Sequence, residues 1–286
     1  MAILTLKNIH YRYDDAIPAL KNISLSIEEG EKIVILGNNG AGKTTFFRIC
    51  NGLLTPDSGQ LLYDGTAVKQ RRKDLLALRK AVNLIFQDAD SQIIAPTVES
   101  EISFGLMNLN VEPDNIRIIL DEVLHDLSLE HLKERPPHYL SGGEKKRVSI
   151  ADALVMQPRV MLMDEPMASL DPANADHFEQ LLEGFHEQGI ALVIASHDVD
   201  FAWRWAHRIV VFHQGEIIAD DAPEVVFSKN DIIEKANLKQ PVLYEICEIF
   251  IDDLKKYKMN NLNITIKNME DFKKILQEIK IFSKMN

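Results

Sequence analysis

The stretch Gly37-Asn38-Asn39-Gly40-Ala41-Gly42-Lys43-Thr44 fits the pattern G-x-x-x-x-G-K-[ST]. An apolar run, "KIVIL", precedes it and a helical stretch, "KTTFFRICNGL", follows, which is the context the pattern requires. Glycines at such a turn permit positive φ and let successive backbone N–H groups close around a phosphate. In that reading Lys43 reaches the outer phosphates of a nucleotide and the Thr44 hydroxyl ligates Mg²⁺. A second pair, Asp164 and Glu165, ends the apolar run "VMLMDEP". The carboxyl end of a buried strand is the edge at which open α/β sheets bind ligands. Asp164 suits a Mg²⁺ partner acting through water, and Glu165 can polarise an attacking water. Alone, an acidic strand end reads equally well as a solvated face. A phosphate loop in the same chain makes nucleotide chemistry the better reading.

A second anion site stands a hundred residues later, in "HYLSGGEKKR". Ser141 is a good N-cap, and Glu144 three positions on completes a capping box. The first two helical positions, Gly142 and Gly143, are glycines that each cost roughly 1 kcal/mol against alanine in a helix. Bare N–H groups at such a helix start attract an anion.

These residues need elements to hold them. The chain has 286 residues, 46% hydrophobic and 26% charged, enough for one large α/β domain and a small appendage. A net charge of −11 argues against a dedicated nucleic-acid binder. Cys50 and Cys247 lie outside any metal-like spacing and suit a reducing compartment. No apolar run spans a bilayer, and the N-terminus lacks signal-peptide character, so a soluble, cytoplasmic chain is expected. The first 30 residues alternate like antiparallel strands, with a turn at Glu29-Gly30. Residues 60–85 read as mixed, with a basic helix in "KQRRKDLLALRKA" and a strand from Ala81 to Phe86. A mainly helical insertion over about 88–158 interrupts the α/β pattern. "VMLMDEP" and "IALVIAS" resume it as strands, with the helix "PANADHFEQLLEGFHEQG" between them; "DVDFAWRWAH" is the next helix and "RIVVFHQGEIIAD" a hairpin turning at Gly215. Residues 1–238 form the main domain and 239–286 an extension, in which "LNITIK" reads as a strand and "MEDFKKILQEIK" as a helix.

The order Gly37–Thr44, Gln87, "LSGGE", "VMLMDE", "SLD" and His197 resembles the ATP-binding subunit of an ABC transporter over residues 1 to about 230. P-loop kinases and GTPases share the first element but not LSGGE between the two others. The resemblance implies an α/β P-loop NTPase fold with a mixed sheet, an N-terminal antiparallel β subdomain, an inserted helical subdomain and a small C-terminal extension. It implies ATP and Mg²⁺ as cofactors, with Gly37, Asn38, Asn39, Gly40, Ala41, Gly42, Lys43, Thr44 and Thr45 on the phosphates and Tyr13 stacked on adenine. Tyr11, on the same strand face, is the rival for that stack. Thr44, Gln87 and, through water, Asp164 are the implied Mg²⁺ ligands; Glu165, His197 and Gln87 are the implied catalytic residues. Ser169 and Asp171 are implied to face a subunit interface. Ser141, Gly142, Gly143 and Glu144 are implied to complete the site of a second ATPase subunit, identical or not.

"FQDADSQIIAPTVESEISFGLMNL" and "RPPHYLSGGEKKRVSIADALVMQP" are most similar to the ATPases of energy-coupling-factor importers, the cobalt/nickel type above all. Vitamin-importing members are the alternative, and a non-transport ABC ATPase acting in translation or DNA repair the more distant one. The expected partners are a membrane coupling subunit and a substrate-binding membrane subunit, with the chain peripheral on the cytoplasmic face of the cell membrane. The extension after Lys239 is the candidate dimerisation region. The nine histidines show no ligand spacing for the cargo, so selectivity is expected in a membrane partner. Asp88, Asp90, Glu99 and Glu101 are the acidic candidates for meeting arginines of that partner; a solvated acidic face is the plainer reading.

Overall fold

The computed structural model describes residues 2–14, 17–168, 170–256, 266–268, 270–275 and 277. Strands β1 (Ala2–Tyr13) and β2 (Ile17–Glu28) pair antiparallel, and Gly30 turns the chain at φ 64° into β3 (Lys32–Leu36). Helix α1 (Lys43–Cys50) follows the phosphate loop. Strands β4 (Ser58–Tyr63) and β5 (Thr66–Ala67) form a hairpin within the stretch whose sequence pattern is mixed. Its turn residues Asp64 and Gly65 both have positive φ, the requirement of a tight hairpin turn, so the Asp-Gly pair was the available signal. Helix α2 (Arg72–Ala81) leads into β6 (Val82–Ile85).

Helices α3 (Val98–Asn108), α4 (Pro113–Asp126) and α5 (Gly142–Leu154) make up the helical segment before β7 (Val160–Asp164). Then come α6 (Pro172–Glu187), β8 (Ala191–Ala195), α7 (Val199–Trp205), and the hairpin β9 (Arg208–His213) and β10 (Glu216–Asp221). Short helices α8 (Pro223–Phe227) and α9 (Asn230–Lys235), which the sequence did not announce, precede α10 (Val242–Lys256). Residues 270–275 are helical; of the expected strand "LNITIK" only Ile266 and Lys267 fall among the described residues.

One sheet runs β2-β1-β4-β5, all antiparallel; the other runs β10-β9-β3-β8-β7-β6, parallel apart from the edge strand β10. The period-two alternation of side chains divides the parallel sheet between two cores. Ile33, Ile35, Val160, Leu162 and Val193 pack with the antiparallel sheet and α1. Val34, Leu36, Met161, Met163, Leu192 and Ile194 pack with the helical segment and with α6 and α7. Burial on both faces is why these strands read as unbroken apolar runs. The result positions four parallel strand ends, those of β3, β6, β7 and β8, side by side along one edge.

Candidate functional site

The phosphate loop leaves β3 at Gly37, whose φ is 150° and whose added Cβ would sit 2.4 Å from the Phe212 carbonyl oxygen. Gly42, at φ 109°, is equally confined: a Cβ there would lie 2.7 Å from the Ala19 oxygen. The turn of the β9–β10 hairpin braces the loop from outside, with Gly215 N–H donating to the Ala41 oxygen at 3.0 Å. Lys43 is buried, and its ammonium donates to the carbonyls of Gly37 (2.6 Å) and Asn38 (3.3 Å). Burial lowers its pKa, against the opposing pull of Glu165 and Asp164. No carboxylate lies within 4.0 Å of it among the described residues, so the loop holds a cation without a paired anion.

The neighbouring strand ends bring the other groups. Thr44 Oγ1 donates to Asp164 Oδ2 at 2.6 Å. Asp164 is buried, which raises its pKa; Glu165 adds to the rise while Thr44, Lys43 and Lys146 oppose it. Glu165 has φ 47°, and its N–H donates to the Ala195 carbonyl at 3.0 Å, fixing the strained turn after β7. Its carboxylate accepts from Gln87 Nε2 at 2.9 Å and lies 2.7 Å from His197 Nε2. That histidine nitrogen also lies 2.9 Å from Asn39 Oδ1 of the loop. Gln87 follows β6, Glu165 follows β7 and His197 follows β8, so three adjacent strands converge on one carboxylate.

A cleft of about 510 Å³ joins the loop, Gln87 and Glu165 to Tyr13, Ile17, Pro18 and Ala19 at its far end. Tyr13, rather than Tyr11, lines this cleft; its hydroxyl is 3.3 Å from Thr45 Oγ1, and Tyr11 meets its ring edge-to-face at 4.9 Å. The apolar trio Ile17, Pro18 and Ala19 was not singled out from the sequence, where nothing marks it. The residues present fit a nucleoside triphosphate with Mg²⁺: glycine-lined backbone N–H groups, an unpaired ammonium, and a hydroxyl and carboxylate on hard oxygen atoms. Mg²⁺ characteristically takes one or two protein oxygens and completes its shell with phosphate and water. Among the described residues no cluster of three or more His, Cys, Asp or Glu could hold a metal by itself.

Ser141 to Glu144 do not line this cleft. Ser141 caps α5 with a complete capping box: its Oγ accepts from Glu144 N–H at 3.4 Å, and Glu144 Oε2 accepts from Ser141 N–H and Oγ, each at 2.7 Å. Gly142 has nothing within 4 Å of an added Cβ, so its backbone faces open space. It borders a separate cavity of about 360 Å³ with Asp88, Asp90, Lys145 and Lys146. Asp171 caps α6, accepting from Asn174 N–H at 3.0 Å. Ser169 lies outside the described residues.

The four acidic docking candidates divide. Asp88 accepts from Asp90 N–H at 3.0 Å, and Asp90 pairs with Lys145 at 2.6 Å; both are surface groups. Glu99 is half-exposed and 3.7 Å from Lys133. Glu101 is corrected: it is 4% exposed, and its carboxylate accepts from the N–H groups of Ile94 (2.9 Å) and Ala95 (2.6 Å). These two backbone donors take up the carboxylate, which is turned inward and not toward a partner. Two buried charges went unnoticed in the sequence. Asp152 is pushed up to about 7 by burial and by Glu101, and Lys146 is lowered to about 8 by burial. Periodicity gives no sign of either, because their burial comes from the packing of α5 on the segment after β6.

Strand order, loop and converging strand ends define a nucleotide-binding cassette of the P-loop class. The family model described as ABC transporter matches residues 20–168, and the chain belongs to that family of transport ATPases. It is 43% identical over 246 residues to the energy-coupling factor transporter ATP-binding protein EcfA2 of Methanospirillum hungatei. That match covers 86% of this chain and 62% of the relative, so the chain spans less than two thirds of that protein's length. The structure of cbiO1 from Clostridium perfringens, part of the ABC transporter complex cbiONQ, is 39% identical. The two superpose with a TM-score of 0.73 over 86% of this chain and 99% of that one. A dimeric ATP-binding cassette in a post-hydrolysis state, bound to ADP and Pi, matches at 30% identity and a TM-score of 0.69, covering 77% of this chain and 98% of that one. Among the described residues no helix is long and apolar enough to cross a membrane.

Proposed function

We propose that the chain hydrolyses ATP as one of two paired ATPase subunits of an energy-coupling-factor importer for cobalt or nickel ions. Each subunit binds ATP on its own phosphate loop and covers the other subunit's ATP with Ser141, Gly142 and Gly143. The observation that carries this reading is the separation of the two anion sites within one chain. The loop cleft is lined by Gln87 and Glu165 and by none of Ser141–Glu144, while Gly142 borders a second cavity that Gln87 also lines. Bound Mg²⁺ neutralises phosphate charge. Lys43 holds the outer phosphates, Glu165 orients the attacking water, and Gln87 and His197 hold that carboxylate in place. A helix N-terminus is worth roughly 0.3–2 kcal/mol to an anion, which suits a contact that closes with ATP and reopens after hydrolysis. Asp88, Asp90 and Glu99 remain available on the surface to a membrane partner on the cytoplasmic face, and the C-terminal extension to the ATPase partner. The cobalt/nickel assignment is supported by the "RPPH" lead-in to the signature and by the likeness to cbiO1.

Native purification of the chain from membranes, with mass spectrometry of the accompanying proteins, tests the assembly. Proteoliposomes of that complex should take up Co²⁺ or Ni²⁺ only with ATP present. Uptake of a vitamin but of neither metal overturns the cargo, and absence of any membrane partner overturns the transport reading.

A further inference from the structure

Lys146 is a buried cation that the chemistry above does not use. It lies little more than one turn into α5 from the Ser141 cap and is 6% exposed. Its ammonium donates to the backbone carbonyls of Phe86 at 2.8 Å and Gln87 at 3.3 Å. No carboxylate lies within 4.0 Å of it among the described residues, the nearest ion pair on α5 being that of its neighbour Lys145 with Asp90. Burying a charge against neutral acceptors is costly, and a shorter polar or apolar side chain would fill α5 at less expense. The two carbonyls it holds are those of the strand end that carries Gln87, whose side chain in turn donates to Glu165 at 2.9 Å.

We infer that Lys146 is a positioning residue that fixes the Gln87 backbone to the signature helix, so that the placement of the Gln87 amide on Glu165 depends on the placement of Ser141–Gly143. This rests on the two-subunit reading above. The path is short and continuous: Glu165 carboxylate, Gln87 amide, Gln87 carbonyl, Lys146 ammonium, then the rigid first turns of α5. A second tie runs beside it, Gln92 Nε2 donating to the Ser149 carbonyl at 3.4 Å. Lys145 and Asp90 add a third at the surface, where screening weakens it. Of the three, Lys146 alone grips the residue that touches Glu165.

Lys146→Met and Lys146→Gln test the assignment on the full chain, because the two replacements are alike in size and differ in whether they donate a hydrogen bond. Lys146→Met should lower kcat about tenfold or more while the dissociation constant for the fluorescent analogue MANT-ATP stays within about threefold. Lys146→Gln should recover most of that kcat. Amide hydrogen exchange over residues 86–92 should quicken in Lys146→Met and not in Lys146→Gln, a readout that needs no turnover. Wild-type kcat in Lys146→Met overturns the inference, as does a parallel loss of kcat and MANT-ATP binding in both variants, which would mark a merely structural role. Wild-type protein that hydrolyses no ATP counts instead against the functional reading, and the exchange measurement then decides on Lys146 alone.

Discussion

The phosphate loop and the signature turn are both glycine-rich starts of helices, and they are built in opposite ways. At Gly37 and Gly42, though not at Gly40, the phosphate loop is hemmed in: Phe212 and Ala19 carbonyls leave no room for a Cβ, Gly215 braces the outside, and Lys43, Thr44 and Asp164 are tied to their neighbours. Around Ser141–Glu144 the turn is held by its own capping box, Asn174 lies 3.8 Å from a Cβ built on Gly143, and Gly142 has nothing within 4 Å. The first is preorganised for an anion within its own chain; the second is left open at Gly142. A glycine confined by its surroundings and one in open space look alike in a sequence. Only the space around each sets them apart.

The sharpest way to break this contrast is to remove the chemistry and keep the halves. Glu165→Gln retains a group that Gln87 and His197 can hold, but it no longer draws a proton from water. Turnover should fall about 10³-fold, within the range expected for a lost general base, while ATP now accumulates a stable dimer on size exclusion. Normal turnover would remove Glu165 from the reaction. Gly142→Asp comes next, with roughly 10²-fold expected. It places a carboxylate in open space at the signature turn, so MANT-ATP should bind the single chain as before while ATP no longer brings two chains together. Loss of binding by the lone chain would mean that both halves serve one site, and the two-subunit arrangement would fall.

What was legible from sequence follows the same division. The phosphate loop, the apolar strand before it and the acidic strand end are contiguous, so their spacing carries their geometry, and the capping box of α5 is likewise local. The convergence of Gln87, Glu165 and His197 depends on β6, β7 and β8 lying side by side, which the motif order supplied through family resemblance and periodicity could not. The roles of Glu101, Lys146 and Asp152 were not legible at all. A charged residue reads as surface until the segment that buries it is known, and that segment, 86–95, folds back on α5 without any local signal.

Asp152 gives the helical segment a pH sensitivity of its own. Asp152 is held protonated, with a pKa of about 7 in the fold against an ordinary value of 3.8, so the unfolded chain gives up its proton first. Stability is therefore lost as pH rises from about 4 and levels off above about 7. Asp152→Asn cannot ionise and escapes that loss. In urea melts at pH 5 and pH 8 the variant should gain about 2 kcal/mol on the wild type at the higher pH. Parallel pH dependences would show that burial and Glu101 do not raise the Asp152 pKa in the fold.

The smallest effect expected belongs to Glu144, and it separates the cap from the anion site. Its carboxylate completes the box on Ser141 and at the same time sets a negative charge at the N–H groups offered to a phosphate. The two roles pull apart in Glu144→Gln, whose amide oxygen can still accept from Ser141 N–H while the charge is gone. Stability should hardly move, since the cap survives. In a Glu165→Gln background, however, half-maximal dimer formation should need about threefold less ATP, the size of a single charge at a helix terminus. A capping carboxylate that merely ends a helix would leave the ATP requirement unchanged. One that guards an anion site would shift it, and shift it in the direction of tighter closure.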